Sequence, residues 1–192
     1  MDDAVRAAMA KWPDVPAVFG WLSLDARGRW WVSDTVVEHA GLAGFIGRNY
    51  QADAAGRWYF QNGPQQVFVA LAYTPWVFRL DGDGSLLTHT GAAPRPVAAW
   101  LDEEGHLLFS TSDGDIGILH DADLPAAIER LRCAGGEAVD PERLLDTDNW
   151  PRSAGIMLAA GWIPLSPIRR SEVAPRFGFV PTPQGEDDHC RP

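Results

Sequence analysis

The sequence predicts an α+β protein made mainly of antiparallel β-hairpins or a meander, with a few short helices and two small β-rich lobes of roll or barrel-like form. Three observations predict it. First, the phrase Asp-x-x-Gly followed by paired bulky apolar residues recurs along the chain: Asp25 to Gly28 before Trp30-Trp31, Asp53 to Gly56 before Trp58-Tyr59-Phe60, Asp81 to Gly84 before Leu86-Leu87, and Asp102 to Gly105 before Leu107-Leu108-Phe109. Asp opens such a turn by bonding the backbone ahead of it, and Gly at the fourth position supplies the positive φ that closes a hairpin. Second, Asn62-Gly63 between two apolar runs is a further hairpin signal. Third, segments with a helical period are few and short.

The elements follow in order. Residues 2–12 read as an amphipathic helix, capped by Asp2 or Asp3, with Val5, Met9 and Trp12 on one stripe and Pro13 and Pro16 ending it. Gly20–Leu24 and Arg29–Ser33 flank the first turn as strands, and 38–48 reads as a helix with Leu42, Phe45 and Ile46 inward. Arg57–Gln61 and Gln66–Leu71 form a hairpin about Asn62-Gly63, and Trp76–Leu80 and Leu86–Thr90 form another. The stretch 91–96 (GAAPRP) has linker composition. Beyond it Val97–Leu101, Leu107–Ser110 and Ile116–Leu119 read as strands. A helix is expected from 124 to 134, capped by Asp121 or Asp123 and stopped by Gly135-Gly136, and a shorter one after Asp140-Pro141. The last third is proline-broken, with short strands expected at Trp162-Ile163, Ile168 and 177–180.

The resulting organisation is a lobe at 1–91, a second at 92–183 and a loose tail at 184–192. "LDARGRWWVS" and "LDEEGHLLFS" lie 77 positions apart, so a duplication would produce two similar lobes; chance similarity of two hairpins is the alternative. Four hairpins cannot close a propeller of four-stranded blades. The paired bulky residues carry a further expectation. Neighbours on a strand face opposite ways, and a sheet with one wet face should alternate apolar and polar. These strands do not alternate, so both faces should be covered; an exposed aromatic platform is the alternative.

A chain of 192 residues can bury a real core, and 46% apolar with 22% charged residues is an ordinary globular composition. A formal charge of −10 argues against nucleic acid or an anionic membrane as the main partner. Cys133 and Cys190 make no disulfide framework, the N-terminus lacks a basic-then-apolar leader, and no apolar run suits a membrane span. A cytoplasmic protein is expected.

Catalytic motifs are missing. No nucleophile elbow, Walker loop, dinucleotide fingerprint, H-x-x-x-H or C-x-x-C occurs, so no metal site and no cofactor is expected. Asp81-x-Asp83-x-Ser85 begins like a calcium loop, yet Leu86 and Ala92 occupy the required Gly and Glu positions. His89, His106 and His120, the last followed by Asp121, are the candidate catalytic residues; the competing reading of His120-Asp121-x-Asp123 is a strand end and a helix cap. Trp30, Trp58 and Trp76 are candidate stacking surfaces, and Arg170, with Arg169 and Arg176, a candidate anion spot.

The phrases "GRWYFQNGPQQVFVALAYTPWVFRL", "THTG", "AWLDEEGHLLF" and "APRFGFVPTPQ" resemble an uncharacterised bacterial family of about this length, which implies no activity. Residues 20–80 are also similar to a second uncharacterised bacterial family of two-lobed β-rich proteins thought of as binding or regulatory modules. That family's Gly-x-Pro-Ile step after its first tryptophan strand is replaced here by Asp34-Thr35-Val36-Val37. The expected function is a cytoplasmic module binding a small molecule or a protein, with a homo-oligomer as one form. The alternatives are a small enzyme with a His/Asp site between the lobes, and a carbohydrate-binding domain using exposed tryptophan.

Overall fold

The computed structural model describes residues 1–146 and 150–185. The chain divides into two compact units: Met1–Pro75 with the stretch from Gly178 onward, and Trp76–Phe177.

The first unit opens with helix α1 (Asp3–Lys11), which buries Val5 and leaves Trp12 half exposed beyond its last turn. Strands β1 (Val18–Leu24), β2 (Trp30–Val32) and β3 (Thr35–Val36) come next, then helix α2 (Ala40–Arg48), β4 (Tyr50–Ala52), β5 (Trp58–Asn62) and β6 (Gln65–Leu71). They form one sheet in the order β3-β2-β1-β6-β5-β4, antiparallel except where β1 runs parallel to β6. Its core is aromatic. Tyr50 meets Trp30 edge-on at 5.0 Å and Trp58 at 4.7 Å, Phe45 meets Phe60, and Tyr59 meets Phe68.

The second unit contains β7 (Trp76–Leu80), β8 (Leu86–Thr88), β9 (Pro96–Leu101), β10 (Leu107–Thr111), β11 (Ile116–Leu119), helix α3 (Leu124–Ile128), β12 (Leu131–Cys133), β13 (Ala154–Leu158), β14 (Gly161–Pro167) and helix α4 (Arg170–Phe177). The sheet order is β12-β13-β14-β9-β10-β11-β7-β8. β14 is parallel to β9 and β11 to β7; the other pairs are antiparallel. Phe78, Ala99, Leu107, Phe109, Ile156 and Leu165 belong to its apolar core.

Both units share one six-strand plan. β11-β10-β9-β14-β13-β12 repeats β3-β2-β1-β6-β5-β4 with the same pairing senses. The register repeats too. Leu24 faces Trp30 as Leu101 faces Leu107, and Leu22 lies beside Val69 as Ala99 lies beside Leu165. Phe60 faces Val67 and Tyr50 as Ile156 faces Ile163 and Leu131. The echo of the two ten-residue phrases is therefore matched by equivalent hairpins inside equivalent sheets.

Burial answers the question of the doubled bulky residues. Trp58, Tyr59 and Phe60 are all buried, as are Leu107, Leu108 and Phe109, although strand geometry sends neighbours to opposite faces. Trp31 is half-buried, its indole N–H donating to Asp25 Oδ2 at 3.0 Å.

Three local expectations need correction. The helix from 124 ends at Ile128, which is exposed, while Leu131 is buried because 131–133 is strand β12 paired to β13; Cys133 is thus in a strand. Edge pairing of a buried Leu outweighs continuation of a weak helical stripe. Strand β13 was not anticipated, and β14 runs for seven residues despite Pro164 and Pro167. Arg170–Phe177 is a helix, with Glu172 Oε2 accepting from the Arg169 N–H as half of a capping box, and Val180 makes only an isolated parallel bridge to Arg57. Of the expected tail, residues 186–192 lie outside the described residues.

Candidate functional site

The Asp-x-x-Gly turns come first because they hold several candidate residues. In each, the N–H of the first residue donates to the carbonyl of the fifth, and the Gly N–H donates back; Gly28, Gly56, Gly84 and Gly105 all have φ between 75 and 90°. The same geometry occurs at Thr88–Ala92, Thr111–Asp115 and Cys133–Glu137, where no Asp announces it. At Asp25, Asp53 and Asp102 one carboxylate oxygen accepts from the backbone N–H groups two and four residues on. The other oxygen takes the side chain of the fifth residue: Arg29 at 2.7 Å, Arg57 at 2.7 Å and His106 at 2.9 Å. Burial pushes the Asp25 and Asp53 carboxyls up, and the hydrogen bonds from the N–H groups and guanidinium around each outweigh it, leaving both below the usual carboxylate range.

This internal comparison decides how to read His106. Its contact with Asp102 has the form of a catalytic His–Asp pair, but Arg29 and Arg57 occupy the same place in the sister turns. His106 braces a turn.

His120 is a helix cap. Its Nδ1 accepts from the Ala122 N–H at 3.1 Å, and the exposed Asp121 lies beside it at 3.0 Å. Asp123 fastens the following turn to β7 through two bonds from the Arg79 guanidinium and one from the Leu80 N–H. Continuing the β10–β11 register past Leu108 and Ile118 sets His106 and His120 at one end of the sheet. His89 sits at the other end, its Nδ1 accepting from the Val77 N–H and its ring 5.6 Å from that of Trp76. The Asp115 carboxyl is held high, first by burial and then by Asp113, against the lowering influence of the Trp76 indole. His89 thus lies apart from the other two.

Trp30 and Trp58 are core residues rather than an exposed platform. Trp12 and Trp21, half exposed at 51% and 50%, are the large rings that reach solvent. Arg170 donates its backbone N–H to Glu103 and its guanidinium to Glu104, and Arg176 stacks on Trp100 at 4.0 Å, so each cation has an engaged partner. Among the described residues no cluster of His, Cys, Asp or Glu is arranged to hold a metal, and no helix is long and apolar enough to cross a membrane.

The main hollow lies in the second unit, at the carboxyl ends of β9 and β14, with a volume of about 600 Å³. Leu101, Leu144, Trp150 and Ile168 supply apolar walls; Asp102, Glu103 and Glu172 supply carboxylates and Arg169 a cation. Asp102 is committed to its turn. Glu103 and Glu172 each spend one oxygen on a backbone N–H, of Arg170 and of Arg169. The Trp150 indole N–H donates to the Leu165 carbonyl at 3.3 Å, fixing the ring. In the first unit the equivalent strand ends, at Leu24, Asp25, Leu71 and Ala72, border a hollow of about 400 Å³. The larger cavity owes two walls, Leu144 and Trp150, to the β12–β13 connection at 134–153, which replaces the short β4–β5 turn at 53–57. Sequence reasoning did not single out Leu144, Trp150, Glu103 or Glu172; the signal was the extra length between two strands whose counterparts are joined by a tight turn.

The model of family DUF2944, described as "Protein of unknown function (DUF2946)", matches residues 1–184. No curated protein matches the chain. Among solved structures it is similar to a DUF1285 family protein from Silicibacter pomeroyi DSS-3 at 12% identity, covering 82% of this chain and 84% of that one with a TM-score of 0.54. It is also similar to a DUF1285 family protein from Shewanella baltica OS155 at 14% identity, covering 57% of this chain and 91% of that one with a TM-score of 0.43. The first likeness is one of fold.

Proposed function

The chain belongs to the DUF2944 family, and from that premise we propose that it is a non-catalytic cytoplasmic module that binds a small molecule in the cavity of its second unit. The observation that carries this reading is the wall chemistry. Four apolar side chains, one of them a fixed indole, face carboxylates with spare acceptor capacity, while among the described residues Ser, Thr, Cys, Lys and His are missing from the lining. Such a hollow suits an apolar body with a cationic or hydrogen-bond-donating end. Among the described residues its lining offers no nucleophile, and His106 is held by its turn. Among the described residues Cys133 carries a free thiol, which suits a reducing compartment.

Calorimetric titration of the full chain with matched aromatic and aliphatic amines and carboxylates tests the reading. Amines should bind and carboxylates should not, and Leu144→Trp, which fills the hollow, should abolish binding at unchanged secondary structure. Equal binding by the filled variant, or no binding by either series at millimolar concentration, refutes it.

A further inference from the structure

The walls of the cavity at the ends of β9 and β14 are graded by exposure. Leu144 and Ile168 are buried, Leu101 and Trp150 are half-buried, and Glu103, Arg169 and Glu172 are exposed. Apolar surface therefore lies deep and charge lies at the opening.

The charges at the opening are held by backbone rather than by one another. Glu172 Oε2 accepts from the Arg169 N–H at 3.1 Å, and Glu103 Oε2 accepts from the Arg170 N–H at 2.8 Å. Two carboxylates are thus tied to consecutive amides, each with its second oxygen to spare. Arg170 commits its guanidinium to Glu104 at 2.9 Å. Arg169 differs: its backbone is engaged, while among the described residues no ion pair or hydrogen bond holds its guanidinium. One cation and two anions accordingly line the same opening without pairing side chain to side chain. A guanidinium presents a planar fork of N–H donors that matches a carboxylate, and a carboxylate with a spare oxygen accepts from an ammonium. A ligand carrying both signs a short distance apart would answer both.

Resting on the reading that this cavity binds a small molecule with a cationic end, we propose that the ligand is a free α-amino acid with an apolar side chain. Its ammonium meets Glu103 and Glu172, its carboxylate meets Arg169, and its side chain enters between Leu101, Leu144, Trp150 and Ile168. A plain amine leaves Arg169 unanswered beside a like charge. A plain carboxylate meets two like charges for one opposite one. The volume of about 600 Å³ lies within the usual range for small-molecule sites.

Phenylalanine, phenethylamine and 3-phenylpropanoate share one apolar body and carry both charges, the cation alone and the anion alone. Each is titrated calorimetrically into the full chain at neutral pH. Phenylalanine should bind roughly fivefold tighter than phenethylamine, the worth of one added hydrogen-bonded contact, and 3-phenylpropanoate should not bind at millimolar concentration. In Arg169→Gln, phenylalanine and phenethylamine should bind within a factor of about two of each other. The bond to Glu172 survives that change because it runs through the backbone N–H, and the comparison in the unaltered protein stands by itself should the variant fail to fold. Phenethylamine binding as tightly as phenylalanine, or a phenylalanine preference that survives Arg169→Gln, would overturn this inference and leave the amine-binding reading in place. Binding by none of the three would overturn both.

Discussion

Where the first unit carries Trp58, Tyr59 and Phe60 the second carries Ala154, Gly155 and Ile156; Tyr50 corresponds to Leu131, and Trp30 to Leu107. Two sheets with one strand order and one register are therefore filled by different materials, rings in one and aliphatic chains in the other. Gly155 shows how the volume is recovered. A Cβ there would run into the Trp162 ring and the Ile163 carbonyl, and that indole donates to the Arg132 carbonyl at 3.1 Å. The space that Tyr59 fills by itself in one unit is filled in the other from the neighbouring strand. Backbone pairing and turn chemistry define the plan, and the core needs only to reach native density by some route.

The second difference is a connection. A tight turn suffices between β4 and β5, whereas 134–153 joins β12 to β13 and walls the cavity. Insertions in surface connections cost little stability, so a repeated plan can carry a longer connection and a larger cavity in one copy while the other keeps its tight turn.

This contrast can be broken or sharpened by measurement, beginning with the largest effect. Trp58→Ala should cost about 3–5 kcal/mol in urea unfolding, since the buried indole would leave a cavity among Tyr50 and its neighbours. A cost below about 1 kcal/mol would end the claim that the first core depends on its rings. Gly155→Ala should cost about 1–3 kcal/mol through overpacking, and Trp162→Ala should relieve part of it in a double-mutant cycle; additive losses would break the assigned link.

A smaller effect is the acid limb of stability. Asp25 and Asp53 are held below the usual carboxylate range when folded, so their contribution is fully present above about pH 4 and drains away as pH falls through the folded values. Asp25→Asn and Asp53→Asn should flatten that limb, and an unchanged slope would contradict the bracing role. Smallest of all, His106→Arg should shift stability by less than about 0.5 kcal/mol, because Arg holds the same position in the sister turns. A larger loss would restore a special role to the imidazole.

Much of the plan was legible in the chain. Asp-x-x-Gly located the hairpins because only a residue tolerant of positive φ can close them, and uninterrupted bulky runs announced strands covered on both faces. Turns at Thr88, Thr111 and Cys133 escaped notice, since their shape is maintained by backbone bonds with no Asp to mark it. β12 and α4 were misread because Leu131 and Phe177 fit a helical stripe and an extended run equally well over so few residues. The cavity was illegible for another reason: Leu101, Leu144, Trp150 and Glu172 are scattered along the sequence and meet only when β9 and β14 pair in parallel.

By itself, then, the sequence determined what acts within a few residues: turn geometry, strand pattern and the repeated hairpin phrase. Tertiary structure alone decided that β7 joins β11, that Trp162 occupies the room left by Gly155, that His106 pairs with Asp102 inside its own turn, and that Gln61 is fully buried with its Oε1 unanswered by the protein. The physical reason is range. Turn and strand preferences are settled by local sterics and hydrogen bonds, whereas volumes and buried acceptors are accounted for across strands that the chain brings together from far apart.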